Sequence, residues 1–475
     1  MKRRRFLSSL GLLTAGWALT PFSPAKAFVG GDKKIKGLVL AKGGKGLKDV
    51  IVSDGYSVIA TDSDGKYEMD VHPNAVAIFV STPAGFEFNH DRGLARHYKM
   101  VDDINFRKGK DLNFELQPLT TDDTNHQFII WADPQVKNEK DVNRMMVESV
   151  PDVQKFVKAA NGALLHGICV GDLVWDNHDL FTSYNYAVEK MGIPFFQCIG
   201  NHDMDYTNGS DDSSDDTFQQ HYGPTWYSFN RGKVHYVVMD DVRYLGKDRE
   251  YDGYISEEQL TWLQKDLSFV PNDHLLIVCL HIPVHNEVKN NEALYAVLKG
   301  RNVHIMSGHT HYHRNVIQND IFEHNHGTVC GAWWTGPICG DGTPSGYGVY
   351  SVKGTELNWY YQSTGKAADH QVSIYVQEQD AASKKLQVNV WNYDPAWTVE
   401  CWVDGAKHND FKQEKGFDAL AVSLYEGPEL PKPRGFAEPK KTDHLFSAIV
   451  PASAKQVKVV AVDRFGKQYS AEYTA

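Results

Sequence analysis

Seven side chains able to hold a metal lie in five short clusters: Asp133 with Gln135, Asp172, Asn201, His281, and His309 with His311. They offer carboxylate, amide and imidazole donors, with no thiolate among them. Such donors suit hard-to-borderline divalent cations, Mn, Fe or Zn. Seven exceed the four that one tetrahedral ion uses, so the set is sized for two ions about 3.5–4 Å apart, with Asp172 between them. A pair of this kind turns a shared water into hydroxide near neutral pH, neutralises phosphoryl oxygens and supports in-line displacement at phosphorus. The leaving alkoxide then needs a proton. His202 adjoins Asn201 without being needed as a ligand, so it is the expected general acid, with Asp203 placed to hold its ring.

Each cluster follows an apolar run: Phe128 to Trp131, Ile168 to Val170, Phe195 to Ile199, Leu275 to Leu280 and Val303 to Met306, with a further run at Val234 to Met239. Continuous runs alternating with helical segments predict strands buried on both faces of an α/β core. Ligand sites in open α/β sheets lie beyond the carboxyl ends of strands, so neighbouring strands would bring all five clusters to one crevice. Glycines before Asp172, Asn201 and His309 permit the sharp turns required. One helix is expected after Ser256, where Gln259 completes a capping box, and another over Asn291 to Lys299, ending at Gly300.

The chain has 475 residues, 42% hydrophobic and 23% charged, which excludes wholesale disorder and a polytopic membrane protein. Six cysteines are too few for a disulfide scaffold. Residues 1–27 read as an export signal: a basic start at Arg3-Arg4-Arg5, an apolar stretch from Leu7 to Leu19, and the small-residue site Ala25-Lys26-Ala27. Arg3-Arg4-Arg5-Phe6-Leu7 resembles a twin-arginine signal, predicting export to a periplasm. No later run approaches the ~20 apolar residues of a membrane span. The formal charge is −11, with Lys2, Arg3, Arg4, Arg5 and Lys26 all inside the signal. An acidic remainder argues against long nucleic acid as partner and leaves a small phosphorylated substrate. Residues 28–119 read as a β-sandwich, and 366–475 return to strand-like alternation. The oligomeric state is left open.

The five clusters resemble the signature of the calcineurin-like metallophosphoesterase superfamily: D-x-H, G-D, G-N-H-D/E, H and G-H-x-H. The flanking segments resemble those of an exported bacterial branch, including Gly331 to Pro337 and Asp341 to Tyr347. The resemblance implies an α/β metallophosphoesterase core over 127–360, a β-sheet sandwich flanked by helices, with an N-terminal β-sandwich and a C-terminal β-rich domain. It implies a phosphoesterase in which a first metal takes Asp133, Gln135, Asp172 and His311, and a second takes Asp172, Asn201, His281 and His309, with His202 as catalytic acid. Gln135 stands where the family usually has His; its amide oxygen is the weaker donor. Monoesters and diesters, including a nucleotide, a lipid headgroup or an envelope glycan, remain open. So does a glycan-binding surface protein with a relict metal site.

His285, His178 and His313 are further candidates for substrate contact, the last because it continues the alternation of His309 and His311. Trp333 and Trp334 suit either ring stacking or a core. Cys330 and Cys339 are near enough in sequence for a bridge.

Overall fold

The computed structural model describes residues 33–101, 112–426 and 437–475. The expected export segment 1–27 lies outside them. All six apolar runs form strands: Asn125–Trp131, Leu165–Val170, Phe195–Cys198, Val234–Val238, Leu275–Cys279 and Asn302–Ser307. They do not share one sheet. The first three are parallel neighbours in a seven-stranded sheet, and the last three are parallel neighbours in a six-stranded one. The sheets pack face to face, as the stacking of Phe196 on Phe229 at 3.8 Å shows. Burial on both faces explains the unbroken apolar runs.

Helices Val150–Ala159, Phe181–Met191, Glu257–Leu267 and Asn291–Leu298 cover this sandwich with buried stripes that include Val153, Tyr184, Trp262 and Leu294. Ser256 Oγ caps its helix, accepting the Gln259 N–H at 3.2 Å. The return half of the capping box is absent. The Gln259 side chain instead pairs with both backbone groups of the half-buried Asp240, just past the strand Val234–Val238.

The N-terminal domain forms a three-stranded and a four-stranded sheet around a core that includes Val39, Val52, Tyr67 and Val80. One of its segments departs from the sandwich expected over 28–119. His90–Asp91 and Leu94–Ala95 extend the seven-stranded core sheet, with Leu94 paired to Phe195. The C-terminal domain is two four-stranded sheets enclosing Leu386, Val388, Val457 and Val459. All six cysteines are free and buried, so Cys330 and Cys339 are not bridged. Among the described residues no helix is long and apolar enough to cross a membrane.

Candidate metal centre

Splitting the strands between two sheets divides the donors by type. Asp133, Asp172 and Asn201 follow strands of the seven-stranded sheet, whereas His281, His309 and His311 follow strands of the other. The site therefore straddles the seam of the sandwich. Carboxylates and amides meet imidazoles across it.

All seven expected donors come together. His281 Nε2 lies 3.0 Å from Asn201 Oδ1, 3.2 Å from His309 Nδ1 and 3.4 Å from Asp172 Oδ1. His311 Nε2 lies 3.5 Å from Asp133 Oδ1, and Gln135 Nε2 donates to Asp172 Oδ2 at 3.0 Å. Asp172 belongs to both groups, with His281 and His309 on one side and with Asp133 and His311 on the other. Within each group the ligand atoms lie within 4.8 Å of one another.

The residues fit divalent cations on three counts. Each imidazole sets its outer nitrogen against an acceptor: His281 Nδ1 against Val170 O at 2.8 Å, His311 Nδ1 against Gly331 O at 3.4 Å, and His309 Nε2 against the Glu287 carboxylate at 3.7 Å. The proton is thereby placed outward and the inner lone pair faces the cluster. The Gln135 Oε1 atom is buried without a hydrogen-bond partner, an expensive state unless a cation takes it. The donors are oxygens and imidazole nitrogens, the set that hard-to-borderline ions prefer.

The backbone is bent at the same residues. Asp133, Gln135, Asp172, His309 and His311 have φ of 48°, 41°, 52°, 70° and 56°. Left-handed conformations at non-glycine residues cost of order 1–3 kcal/mol each and concentrate at functional sites. Close packing demands glycine nearby. A Cβ on Gly200 would lie 2.1 Å from the Asp172 amide nitrogen, and one on Gly171 would lie 2.4 Å from His281 Nδ1.

Without cations, protons redistribute within the cluster. Burial raises the Asp172 carboxyl, but the charges of His281 and His202 and the hydrogen bonds from both together outweigh it and hold the group below the usual carboxylate range. Burial lowers His281, yet Asp172 raises it to about 10. His309 falls to about 3 through burial and the His281 charge.

His202 stands at the edge of this cluster, its backbone N–H on Asp172 Oδ1 at 2.8 Å. Its ring partner is not Asp203. Asp203 is fully buried, and its carboxylate accepts from the N–H groups of Gly200, Leu173 and Val174, welding the Asp172 and Asn201 loops together. The ring is held instead by Asp176, whose Oδ1 lies 3.0 Å from His202 Nδ1 and whose other oxygen takes the Arg249 guanidinium. The sequence offers Asp176, close after Asp172, as a substrate contact; the loop bend at φ 53° instead aims its carboxylate at the His202 ring.

The three further histidines are placed otherwise. His313 is buried, with Nδ1 accepting from Gly327 N at 3.1 Å and Nε2 at 3.2 Å from Asn392 Oδ1, which leaves no nitrogen for substrate. The expected alternation fails because the chain turns, rather than extends, at His309 and His311. His285 points to Glu323 at 3.1 Å with its side chain 6% exposed, and His178 pairs with Asp205 and stacks on Phe181. Neither contact joins the donor set. The two tryptophans divide: Trp334 is core, its Nε1 donating to Pro134 O, and Trp333 stacks on His311 at 4.3 Å. Sequence reasoning also missed Asp241, a buried carboxylate that accepts the N–H groups of His281 and Ile282 and so fixes the His281 backbone.

No curated protein matches the chain. Similar solved structures include GAP50, the anchor in the inner membrane complex of Plasmodium, at 13% identity over 51% of this chain and 85% of that one, with a TM-score of 0.35. Purple acid phosphatase PPD1 from yellow lupin seeds has 14% identity over 76% and 72%, with a TM-score of 0.33. A putative 5'-nucleotidase from Staphylococcus aureus has 13% identity over 50% and 53%, with a TM-score of 0.31. Family models match in chain order: N terminal of Calcineurin-like phosphoesterase at residues 33–119, Calcineurin-like phosphoesterase at 148–313, and C terminal of Calcineurin-like phosphoesterase at 323–469. With its core and both flanking domains matched by one family, this chain belongs to the calcineurin-like phosphoesterases, metal-dependent hydrolases of phosphate esters.

Proposed function

We propose that the chain binds two divalent cations, Mn, Fe or Zn, and hydrolyses small phosphate esters. Asp133, Gln135, Asp172 and His311 would hold one ion, and Asp172, Asn201, His281 and His309 the other. The observation carrying this reading is the position of Asp172 in both donor groups, with the outer nitrogens of His281 and His311 hydrogen-bonded and that of His309 facing Glu287. Ions held there supply Lewis acidity, screening phosphoryl charge and making water acidic. The protein's own contribution is geometric and protonic. The bent loops at Asp133 to Gln135, Asp172 and His309 to His311 hold the donors in place before substrate arrives. His202, anchored by Asp176 at Nδ1, presents Nε2 to the leaving oxygen and gives it a proton as the P–O bond breaks. Water adds to phosphorus, and the products are a phosphate (or phosphate monoester) and an alcohol. Residues 1–27 are proposed to export the chain to a periplasm by the twin-arginine route.

The test uses purified chain stripped with chelator and reloaded with Mn or Zn. Aryl phosphate mono- and diesters serve as substrates, and metal content is measured in parallel. Metal-dependent turnover that Asn201→Ala and His202→Ala both suppress supports the reading. Absence of turnover with two ions bound would favour a glycan-binding protein with a relict centre.

A further inference from the structure

The cleft in front of His202 has walls from two domains. It encloses about 430 Å³ and is lined by Trp175, His202, Arg249, Trp333, Glu438 and Lys440. Because Trp333 lies on His311, the cleft opens directly beside the donor cluster. The rings of Trp175 and Trp333 meet at 6.4 Å and 49°, forming an angled apolar wall.

Glu438 and Lys440 arrive from the C-terminal domain and are firmly placed. The Lys440 N–H donates to Gly340 O at 2.8 Å. A Cβ on Gly340 would come within 2.3 Å of Glu438 O, so only glycine allows this approach. Ala437 is fully buried in a small cluster with Ala332, Ile338, Ala421 and Tyr425. That cluster fixes the same loop that carries Trp333.

The charges around the cleft are unequal in availability. Arg249 is engaged by Asp176. The Lys137 Nζ sits over the Trp175 ring at 4.8 Å. Lys440 Nζ lies 3.7 Å from Glu438 Oε2, with the two side chains 44% and 61% exposed. Such exposed pairs contribute little, so Lys440 exchanges this partner readily for an anion of a ligand. In a chain of formal charge −11, cations gathered at this rim are a local feature.

We propose that Lys440 is a specificity residue of the active site, and that the preferred substrate is a phosphate ester whose leaving group carries a second anionic group. The body of that leaving group rests on the Trp175–Trp333 wall, and its anion reaches Lys440. The proposal rests on the phosphoesterase reading above.

The experiment uses the full chain, metal-loaded, with 4-nitrophenyl phosphate and the same ester bearing a ring carboxylate. The readout is the ratio of kcat/KM between the carboxylated and the plain ester. Lys440→Glu should lower that ratio about fivefold, chiefly through KM, and Glu438→Lys should raise it by a similar factor. Opposite signs cannot arise from misfolding. A ratio unmoved in both variants overturns the role of Lys440 while leaving the phosphoesterase reading intact. Failure of the parent enzyme to turn over either ester overturns that reading and this one together.

Discussion

The contact between Asp176 and His202 makes a quantitative prediction about proton delivery. Asp176→Asn keeps the shape of the side chain but removes the charge that fixes His202 Nδ1 at 3.0 Å. Hydrogen bonds to charged groups contribute about 1.5–3 kcal/mol net. The two side chains are 22% and 19% exposed, so solvent screening places this contact near the lower end, about 1.5 kcal/mol. At about 1.4 kcal/mol per decade, kcat should fall about tenfold. His202→Ala, which removes the acid itself, should cost about 10²–10⁴. Both losses should be larger with phenyl phosphate than with 4-nitrophenyl phosphate, whose leaving group needs a proton less. The assay is steady-state hydrolysis of the two esters at saturating metal, with bound metal measured on each variant. Because Asp176 acts through His202, the double variant should be no slower than His202→Ala alone. Losses that multiply in the double variant, or that are equal for the two esters, would refute the assignment of His202 as acid and Asp176 as its positioning residue.

Gln135→Leu removes the buried orphaned oxygen, and bound metal should fall from two ions per chain toward one at equal free metal, whereas Gln135→His should restore two; elemental analysis after dialysis decides this. Asp172→Ala should empty both positions and Asp133→Ala only one, so equal stoichiometries in the two variants would contradict the shared placement of Asp172. His97 tests pH dependence at a residue outside the donor set. Burial pushes its imidazole down to about 3, and both ring nitrogens lack partners, so the unfolded chain binds a proton that the folded chain refuses. Stability therefore rises with pH between about 3 and 6.5, and the penalty at pH 5 is about 2 kcal/mol. His97→Phe, set among Phe79, Phe196 and Tyr227, should flatten that part of the acid limb in thermal denaturation, and an unchanged slope would count against it.

The strands that carry the donors were legible because burial on both faces leaves unbroken apolar runs, and the donors because ligand chemistry restricts residue types. Their division between two sheets was not legible. Val170 and Leu275 read alike, and only long-range pairing decides that one joins Cys198 and the other Val234. Adjacency misled at Asp203, which follows His202 in the chain but points into backbone amides, while Asp176 reaches the ring across a loop. Period-two reasoning failed at His313 because it assumes extended backbone, and φ of 70° and 56° at His309 and His311 breaks the period. The Gln259 side chain left its helix for Asp240, where it satisfies both a backbone donor and a backbone acceptor instead of one donor at the helix end.

The short strand Leu94–Ala95 pairs with Phe195 at the head of Phe195–Cys198, every residue of which is buried. Trimming the chain to its catalytic portion would free the Phe195 amide and bare the end of an apolar strand, the kind of margin that recruits a second copy or seeds precipitation. What looks in a linear diagram like a detachable accessory is thus a selvedge of the catalytic fabric, and efforts to make a minimal enzyme should carry residues 90–95 with it.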